Sequence, residues 1–403
     1  MKILHLCDSL NPAGLGGYES IIHYLSKTMA VDGHESYVAT QSPYRNSPKS
    51  VQKENYTLFH LPGNLLEARK WEFFSLPEAE REDAAQKMFK PTDITENVDI
   101  LTEQLERIVH ELQPDVIHAH SIYIVFNKVI SKMRLSDRLE IPVVMTLHGL
   151  PKSIILPDGR ETTDYDELVA DFGFDLVIAV SEHVSEALMN HLDSSLRERV
   201  RVLYSGIDLS VFRPIPDLDK EWDLAFMGRF ETMKSVDLFP DMLVLLKTRF
   251  PDLKMMMTGE GSLKDWLFSE FDVKDVASMV DYQGVVESKD VPILINKSRV
   301  FLYPSREEPF GLSIVEAMAC GVPVITTNVF GPKEIIQNNY DGIAVPPNDV
   351  EALTVAIVKL LEDDELRTHI SENGLKSVKE RYDIRMYARR LLEVYEEMVA
   401  KSA

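Results

Sequence analysis

Short, almost uninterrupted apolar runs recur along this chain, each followed by a stretch with helical periodicity. In the first half the runs are residues 3–6, 36–39, 116–119, 143–147, 176–179 and 200–204, with helical patterns over 20–30, 98–112 and 182–191 between them. A strand that is apolar on both faces must be covered on both faces, and a helix after each strand is the connection that a parallel neighbour requires. The alternation therefore predicts α/β architecture with doubly wound parallel sheets. A second series begins after Phe212-Arg213-Pro214, with candidate strands at 222–227, 254–258, 280–283, 300–303 and 322–326. At 403 residues the chain exceeds what one core organises. Two domains, 1–210 and 211–383, are expected to face a deep cleft, the default place for a ligand. The last segment, 384–403, has helical periodicity with no strand after it and is expected to pack back on the first domain.

Composition narrows the function classes. Hydrophobic residues make up 45% and charged residues 27%, enough to bury a large core while staying soluble. The chain opens on strand pattern rather than a secretory signal, and no run of about 18 apolar residues spans a bilayer, so a cytoplasmic protein without a transmembrane segment is expected. Cys7 and Cys320 read as buried free thiols, which indicates neither a disulfide framework nor a metal cluster. Net charge is −22, from 43 basic and 65 acidic residues. That balance argues against a nucleic-acid partner and weakens stable docking on anionic lipid, leaving peripheral membrane contact open. A small anion remains accessible to a few converging cations and helix amides. Oligomeric state is not set by any of these features.

Several loops carry chemistry-bearing residues. In FLYPSREEPFGLSIVEAMACGVPVITTN, residues 301–328, a strand end leads into a polar loop, a helix over 313–320 and a new strand. Ligands of open α/β sheets collect beyond the carboxyl ends of strands. Glu308 and Glu316 would sit roughly 80° apart on an unbroken helix, but Pro309 and Gly311 break it. Glu308 is then a loop residue beside a polyol, and Glu316, in the first helical turns, accepts from ribose hydroxyls; a charged surface or a helix cap is the plainer alternative for each. Gly228-Arg229-Phe230 follows a strand, and Lys234 lies five residues after Arg229. Arginine grips phosphate as a fork and lysine adds a compact charge. Gly259-Glu260-Gly261 supplies a second permissive loop.

Gly14, Gly16 and Gly17 precede a helical run, where glycines admit close approach of backbone amides to phosphate, or simply make a tight turn. The spacing is not that of a nicotinamide fingerprint. His118, His120 and His148 end two apolar strands and suit either a phosphate or sugar oxygen or a structural role. They do not imply zinc, since no carboxylate or thiol completes a ligand pattern. Asp8 either caps the glycine loop or reaches acceptor hydroxyls. Residues 60–97, with Trp71, Phe73 and Phe74, interrupt the first series as a surface helix pair or as a specificity loop.

These motifs resemble those of the retaining GT-B glycosyltransferases of glycosyltransferase family 4 (GT4). EPFGLSIVE, residues 308–316, matches the family's E-x7-E motif and is followed by AMACGVPVI. GLGG at 14–17, HAH at 118–120, TLHG at 146–149, VSEHV at 180–184, SGID at 205–208, GRFETMK at 228–234 and GEG at 259–261 follow in family order over nearly the whole chain. The resemblance implies two Rossmann-like domains, the first on the acceptor side and the second on the donor side. It also implies transfer of a hexose from a nucleotide-diphosphate sugar, UDP-hexose favoured, to a saccharide or small-molecule hydroxyl, with retention, no cofactor and no bound metal.

By the same resemblance, Arg229 and Lys234 clamp the diphosphate, Glu308 lies beside the transferred sugar, and Glu316 holds the ribose. Gly16 and Gly17 close over the phosphates, His120 lies near the donor phosphate and the reacting sugar, and His148 contacts the sugar or orients the acceptor. Gly228, Gly259, Glu260, Pro309, Phe310, Gly311 and Leu312 complete the donor side, with base selection by backbone near Gly284 and Val285. Ser205 and Pro332 depart from the family's usual asparagine and glycine. A nonhydrolysing sugar-nucleotide epimerase and a catalytically silent nucleotide-sugar-binding module are the alternatives.

Overall fold

The computed structural model describes residues 1–7, 17–42, 50–62, 76, 80, 91–120, 124–155 and 161–402. Asp8, Gly14, Gly16, Trp71, Phe73 and Phe74 lie outside the described residues. The chain divides into two compact units. One holds β1 with Tyr18–Tyr204 and Tyr387–Ala403; the other holds Ser205–Met386.

In the first unit the strands are β1 (Lys2–Cys7), β2 (Glu35–Ser42), β3 (Ser50–Gln52), β4 (Thr57–Pro62), β5 (Val116–His120), β6 (Val143–Leu147), the separate antiparallel pair β7 (Ser153–Ile155) and β8 (Glu161–Thr163), β9 (Leu176–Ala179) and β10 (Val200–Val202). The main sheet among the described residues has the order β10-β9-β6-β5-β1-β2-β4-β3, parallel except for β3 against β4. Every residue of β5, β6 and β9 is buried, as uninterrupted apolar strands demand. β3 and β4 lack such a run: β3 is an edge strand of three residues with exposed ends, and β4 buries Leu58 and Leu61 but not Thr57, Phe59 or His60, so periodicity alone did not single them out. Helices at Gly17–Val31, Pro91–Leu112, Ile124–Leu135 and Glu182–Met189 follow β1, β4, β5 and β9. Within 60–97, residues 60–62 finish β4 and 91–97 begin the long helix, and most of the residues between them lie outside the described residues.

The second unit carries β11 (Trp222–Met227), β12 (Met255–Thr258), β13 (Val280–Tyr282), β14 (Ser298–Tyr303), β15 (Val324–Thr327) and β16 (Ile343–Val345), all parallel, in the order β13-β12-β11-β14-β15-β16. The helix after β14 spans Leu312–Ala319, one residue earlier than its sequence pattern, because Gly311 is the last residue outside helical geometry. Helices at Val350–Glu362 and Asp364–Arg381 begin at Asp349 and Asp363, whose carboxylates accept from Ala352 and Leu366 backbone N–H groups.

The helix Ile384–Ser402 ends the fold, and its residues from Tyr387 onward belong to the first unit. There Arg201 grips Glu397 through two bonds of 2.6 Å, and the Tyr395 hydroxyl meets His118. No helix among the described residues is long and apolar enough to cross a membrane.

Strand order fixes where a ligand can approach. In the first sheet β1 is flanked by β2 and β5, and in the second β11 is flanked by β12 and β14. Connections leave in opposite directions at these points and open a crevice beyond the carboxyl ends.

Candidate active site

At the switch point of the second unit, the loop after β14 is strapped to the turn after β11. Arg306 forms a fork on Asp237 at 2.6 and 2.7 Å, and its backbone N–H donates to Met233 at 2.9 Å. This sets Lys234 against the loop that carries Glu308. The Lys234 ammonium donates to Glu308 and, at 3.0 Å, to the Tyr303 hydroxyl, which in turn donates to Glu308 at 2.9 Å. All three side chains are buried. Burial opposes the charge on Lys234, but Glu308 and then Tyr303 outweigh it and hold the ammonium protonated. Burial, reinforced by Glu308, pushes the Tyr303 hydroxyl up to about 12, so it stays a donor. Two of the three ammonium protons are engaged, leaving a third for a further acceptor.

The neighbouring loops are held by close backbone contact. Gly331 donates its N–H to the Glu308 carbonyl at 3.1 Å, and a Cβ there would lie 2.5 Å from both Phe310 Cα and Phe310 O. Gly259 has φ +131°, and a Cβ on it would lie 1.9 Å from the Gly228 carbonyl oxygen. Only glycine fits either place. Through these contacts the loops bearing Gly228, Gly259, Glu260, Pro309, Phe310 and Gly311 become one interlocked rim.

The structure places the other expected residues less uniformly. Arg229 is exposed, with its guanidinium 3.6 Å from Met233 Sδ, so it is not grouped with Lys234 in the buried cluster. Glu260 is also exposed, and one of its oxygens already accepts from Lys264 at 2.7 Å and Tyr282 at 2.6 Å. Val285 is exposed beside Gly284, whose carbonyl accepts from the Gly259 N–H. Phe310 is buried and Leu312 half-buried. Glu316 lies within the helix Leu312–Ala319; it keeps some exposed surface, yet desolvation pushes its carboxyl up to about 7.

At the switch point of the first unit, a histidine cluster forms on adjacent strands. His5 is the register partner of His118, and Cys7 that of His120, so the alternation of strands puts His5, His118 and His120 on one face. His5 Nδ1 lies 3.1 Å from His120 Nε2, and His120 Nδ1 lies 3.2 Å from His148 Nε2. Burial pulls His5 and His148 down to about 3 and His118 and His120 well below the usual range, so all four rings are neutral. His5, His118 and His120 bring one ligand atom each within 4.8 Å of one another. Yet both His118 nitrogens already serve Tyr395 and Thr146, and the other rings bond to each other. The rings thus form one hydrogen-bonded cluster. Gly17 begins the helix after β1, and Gly16 lies outside the described residues.

Tyr303 and His5 were not singled out by sequence reasoning. Each looked like an ordinary member of an apolar strand, and only the polar partner across the sheet reveals it. For Tyr303, a polar-capable side chain that ends β14 at the switch point, that position is the signal that was available.

Comparison with known proteins assigns the family and the fold. Residues 15–211 match the family described as Glycosyltransferase Family 4, and residues 211–377 match Glycosyl transferases group 1. An uncharacterised glycosyltransferase of Methanocaldococcus jannaschii is 30% identical over 286 residues, covering 70% of this chain and 76% of that protein. Sucrose-phosphate synthase of Thermosynechococcus elongatus superposes with a TM-score of 0.79 at 20% identity, covering 99% of both chains. Anabaena HepE in complex with UDP superposes at 0.69 and 19% identity, covering 98% of this chain and all of that one. With its two doubly wound sheets and its paired motif matches, the chain belongs to the GT4 and group 1 glycosyltransferases of GT-B fold.

Proposed function

We propose that this glycosyltransferase moves a hexose from a UDP-sugar to a hydroxyl of a saccharide or small-molecule acceptor, with retention at the anomeric carbon and without a bound divalent metal. The observation that carries the reading is the buried Lys234, Tyr303 and Glu308 group at the second sheet's switch point. A lysine kept charged in a desolvated place, with one proton unspent, is suited to an oxyanion that gains charge as a bond breaks. HepE, of the same fold, has been crystallised with UDP, with UDP and glucose and with UDP-glucose, which supports UDP as the nucleotide.

In this mechanism Lys234 and the exposed, adaptable Arg229 hold the diphosphate, Glu316 accepts from the ribose hydroxyls, and Glu308 faces the sugar. The acceptor oxygen bonds to the anomeric carbon on the face from which the β-phosphate oxygen departs. The bond from that carbon to phosphate breaks, and the acceptor's proton passes to the leaving phosphate. No carboxylate nucleophile at hydrolase spacing is required. Cys7 and Cys320, both buried and not joined in a disulfide, suit a reducing compartment such as the cytoplasm.

The test is a mass-spectrometric screen of UDP-hexoses with and without an acceptor panel. Acceptor-dependent release of UDP and an α-linked product from an α-linked donor are expected. Isomerised donor formed without acceptor would instead identify an epimerase and overturn the reading. Lys234→Ala should lower kcat by roughly 100-fold or more, the scale of losing one charge-stabilising donor.

A further inference from the structure

Phe310 stands between Pro309 and Gly311, in a loop that enters its helix without a side-chain cap. Gly311, at φ +113°, precedes the helix Leu312–Ala319 and makes no capping hydrogen bond through a side chain. A glycine in that conformation lets the backbone turn unless packing stops it. Phe310 supplies packing on two sides. Its backbone lies against Gly331, whose N–H donates to the Glu308 carbonyl at 3.1 Å. Its buried ring meets the ring of Tyr382 edge to face, with centroids 5.7 Å apart. Tyr382 is itself buried and firmly placed. Its N–H donates to the Val378 carbonyl at the end of the helix Asp364–Arg381, and its carbonyl accepts from the Ile207 N–H, both at 2.8 Å. The Ile384 N–H returns a bond of 2.9 Å to the Ile207 carbonyl, so Ile207 and Asp383 form a β-bridge. The Arg381 guanidinium lies over the Tyr382 ring, 4.9 Å from its centroid. It also donates at 2.8 Å to the carbonyl of Ile335, the last residue of the short helix that contains Gly331. Every one of these residues belongs to the second unit.

We propose that Tyr382 is a positioning residue: its ring backs Phe310 and so fixes the course of residues 308–312, the loop that carries Glu308 and leads into the helix bearing Glu316. An edge-to-face pair favours particular mutual orientations, which an aliphatic side chain in place of one ring does not impose. The functional consequence rests on the donor-side reading of this loop given above. A loop already set before its ligand arrives loses less freedom on binding, so the backing ring contributes to donor affinity. Arg381 holds both sides of the grip, through the Tyr382 ring and through the helix that presses Gly331 on Phe310. The SGID segment at 205–208, to which the reaction itself assigns no task, gains one: its Ile207 anchors the Tyr382 backbone.

The test uses the full chain, with UDP as the probe. Tyr382→Phe keeps the ring and Tyr382→Leu removes it, while Phe271→Leu, which removes a buried ring from the helix Lys264–Val273, controls for general loss of packing. Without ligand, hydrogen–deuterium exchange over residues 308–316 should quicken about tenfold in Tyr382→Leu and stay within about twofold of the parent in the other two. Calorimetric affinity for UDP should fall about tenfold in Tyr382→Leu and stay within about twofold in Tyr382→Phe and Phe271→Leu. Phe310→Leu alone should weaken UDP about fivefold, yet added to Tyr382→Leu it should cost no more than about twofold further, since both break one contact. Additive losses, unchanged exchange over 308–316 in Tyr382→Leu, or equal losses in Tyr382→Phe and Tyr382→Leu overturn the proposal. Should Tyr382→Leu not fold, Phe310→Leu reads the same contact from its other side, and unchanged exchange over 308–316 there overturns it as well. A parent protein that does not bind UDP would remove the UDP-donor reading, whereas exchange in the unliganded chain still decides the role of Tyr382.

Discussion

Tyr303 shows how much one hydroxyl can decide. It closes the triangle between a buried ammonium and one oxygen of a buried carboxylate, so that two of the three ammonium protons are fixed and the third is left to point elsewhere. Tyr303→Phe should keep the fold and the Lys234 to Glu308 pair but let the ammonium turn. Transfer kcat is expected to fall about tenfold, with a stability loss of about 1.5–3 kcal/mol for a hydrogen bond to charged groups, checked by steady-state kinetics beside urea unfolding. Glu316 offers a second residue-scale prediction. Its carboxyl is raised to about 7 by burial, so it is largely protonated below that pH and ionised above it. If the ionised form accepts from ribose hydroxyls, UDP-glucose should bind more weakly as pH falls through about 7, approaching tenfold per unit, and Glu316→Gln should flatten that slope in calorimetric titrations.

Loops and turns matter at the next scale because they hold these residues where local propensity would not. Arg306 ties the loop after β14 to the turn after β11, and Gly331 lies against the backbone at Phe310. Gly331→Ala must push that backbone aside and stretch the bond to the Glu308 carbonyl. We expect a stability loss of about 1–3 kcal/mol, the usual cost of overpacking, together with a loss of UDP-glucose affinity larger than Tm alone explains. Thermal unfolding and titration on the same sample separate the two effects. The elements themselves were readable: β1, β5, β6, β9, β11 and β12 are continuous apolar runs flanked by helical periodicity, so burial on both faces is written locally. The strands β3, β4 and β16 were not singled out: β3 and β16 are edge strands of three residues, and β4, between β2 and β3, is broken by the polar Thr57 and His60.

For the molecule as a whole, the histidine cluster makes the first unit acid-sensitive. A histidine whose folded pKa lies below its unfolded one binds fewer protons folded than unfolded, so stability present above pH 6.5 is lost as pH falls toward the folded value. For His5, lowered from 6.5 to about 3 by burial, the loss between pH 6.5 and 5 is about 1.7 kcal/mol, and His118, His120 and His148 act in the same direction. Urea unfolding at these two pH values should show the first unit losing stability on acidification, and His5→Asn should reduce the difference. An unchanged midpoint would mean that the rings are not held neutral.

The amino-acid order alone determined the two βα series, the helical end of the chain and most of the donor-side motifs, because strand and helix periods repeat within a few residues and a loop motif is read from consecutive side chains. What only the tertiary structure decided is which of those residues meet. His5 and His120 are 115 positions apart and Lys234 and Glu308 are 74 apart, yet each pair is in hydrogen-bond contact. Such contacts depend on sheet order and register, with β1 beside β5 and β11 beside β14. No local period records that order, since it comes from packing the whole set of strands at once.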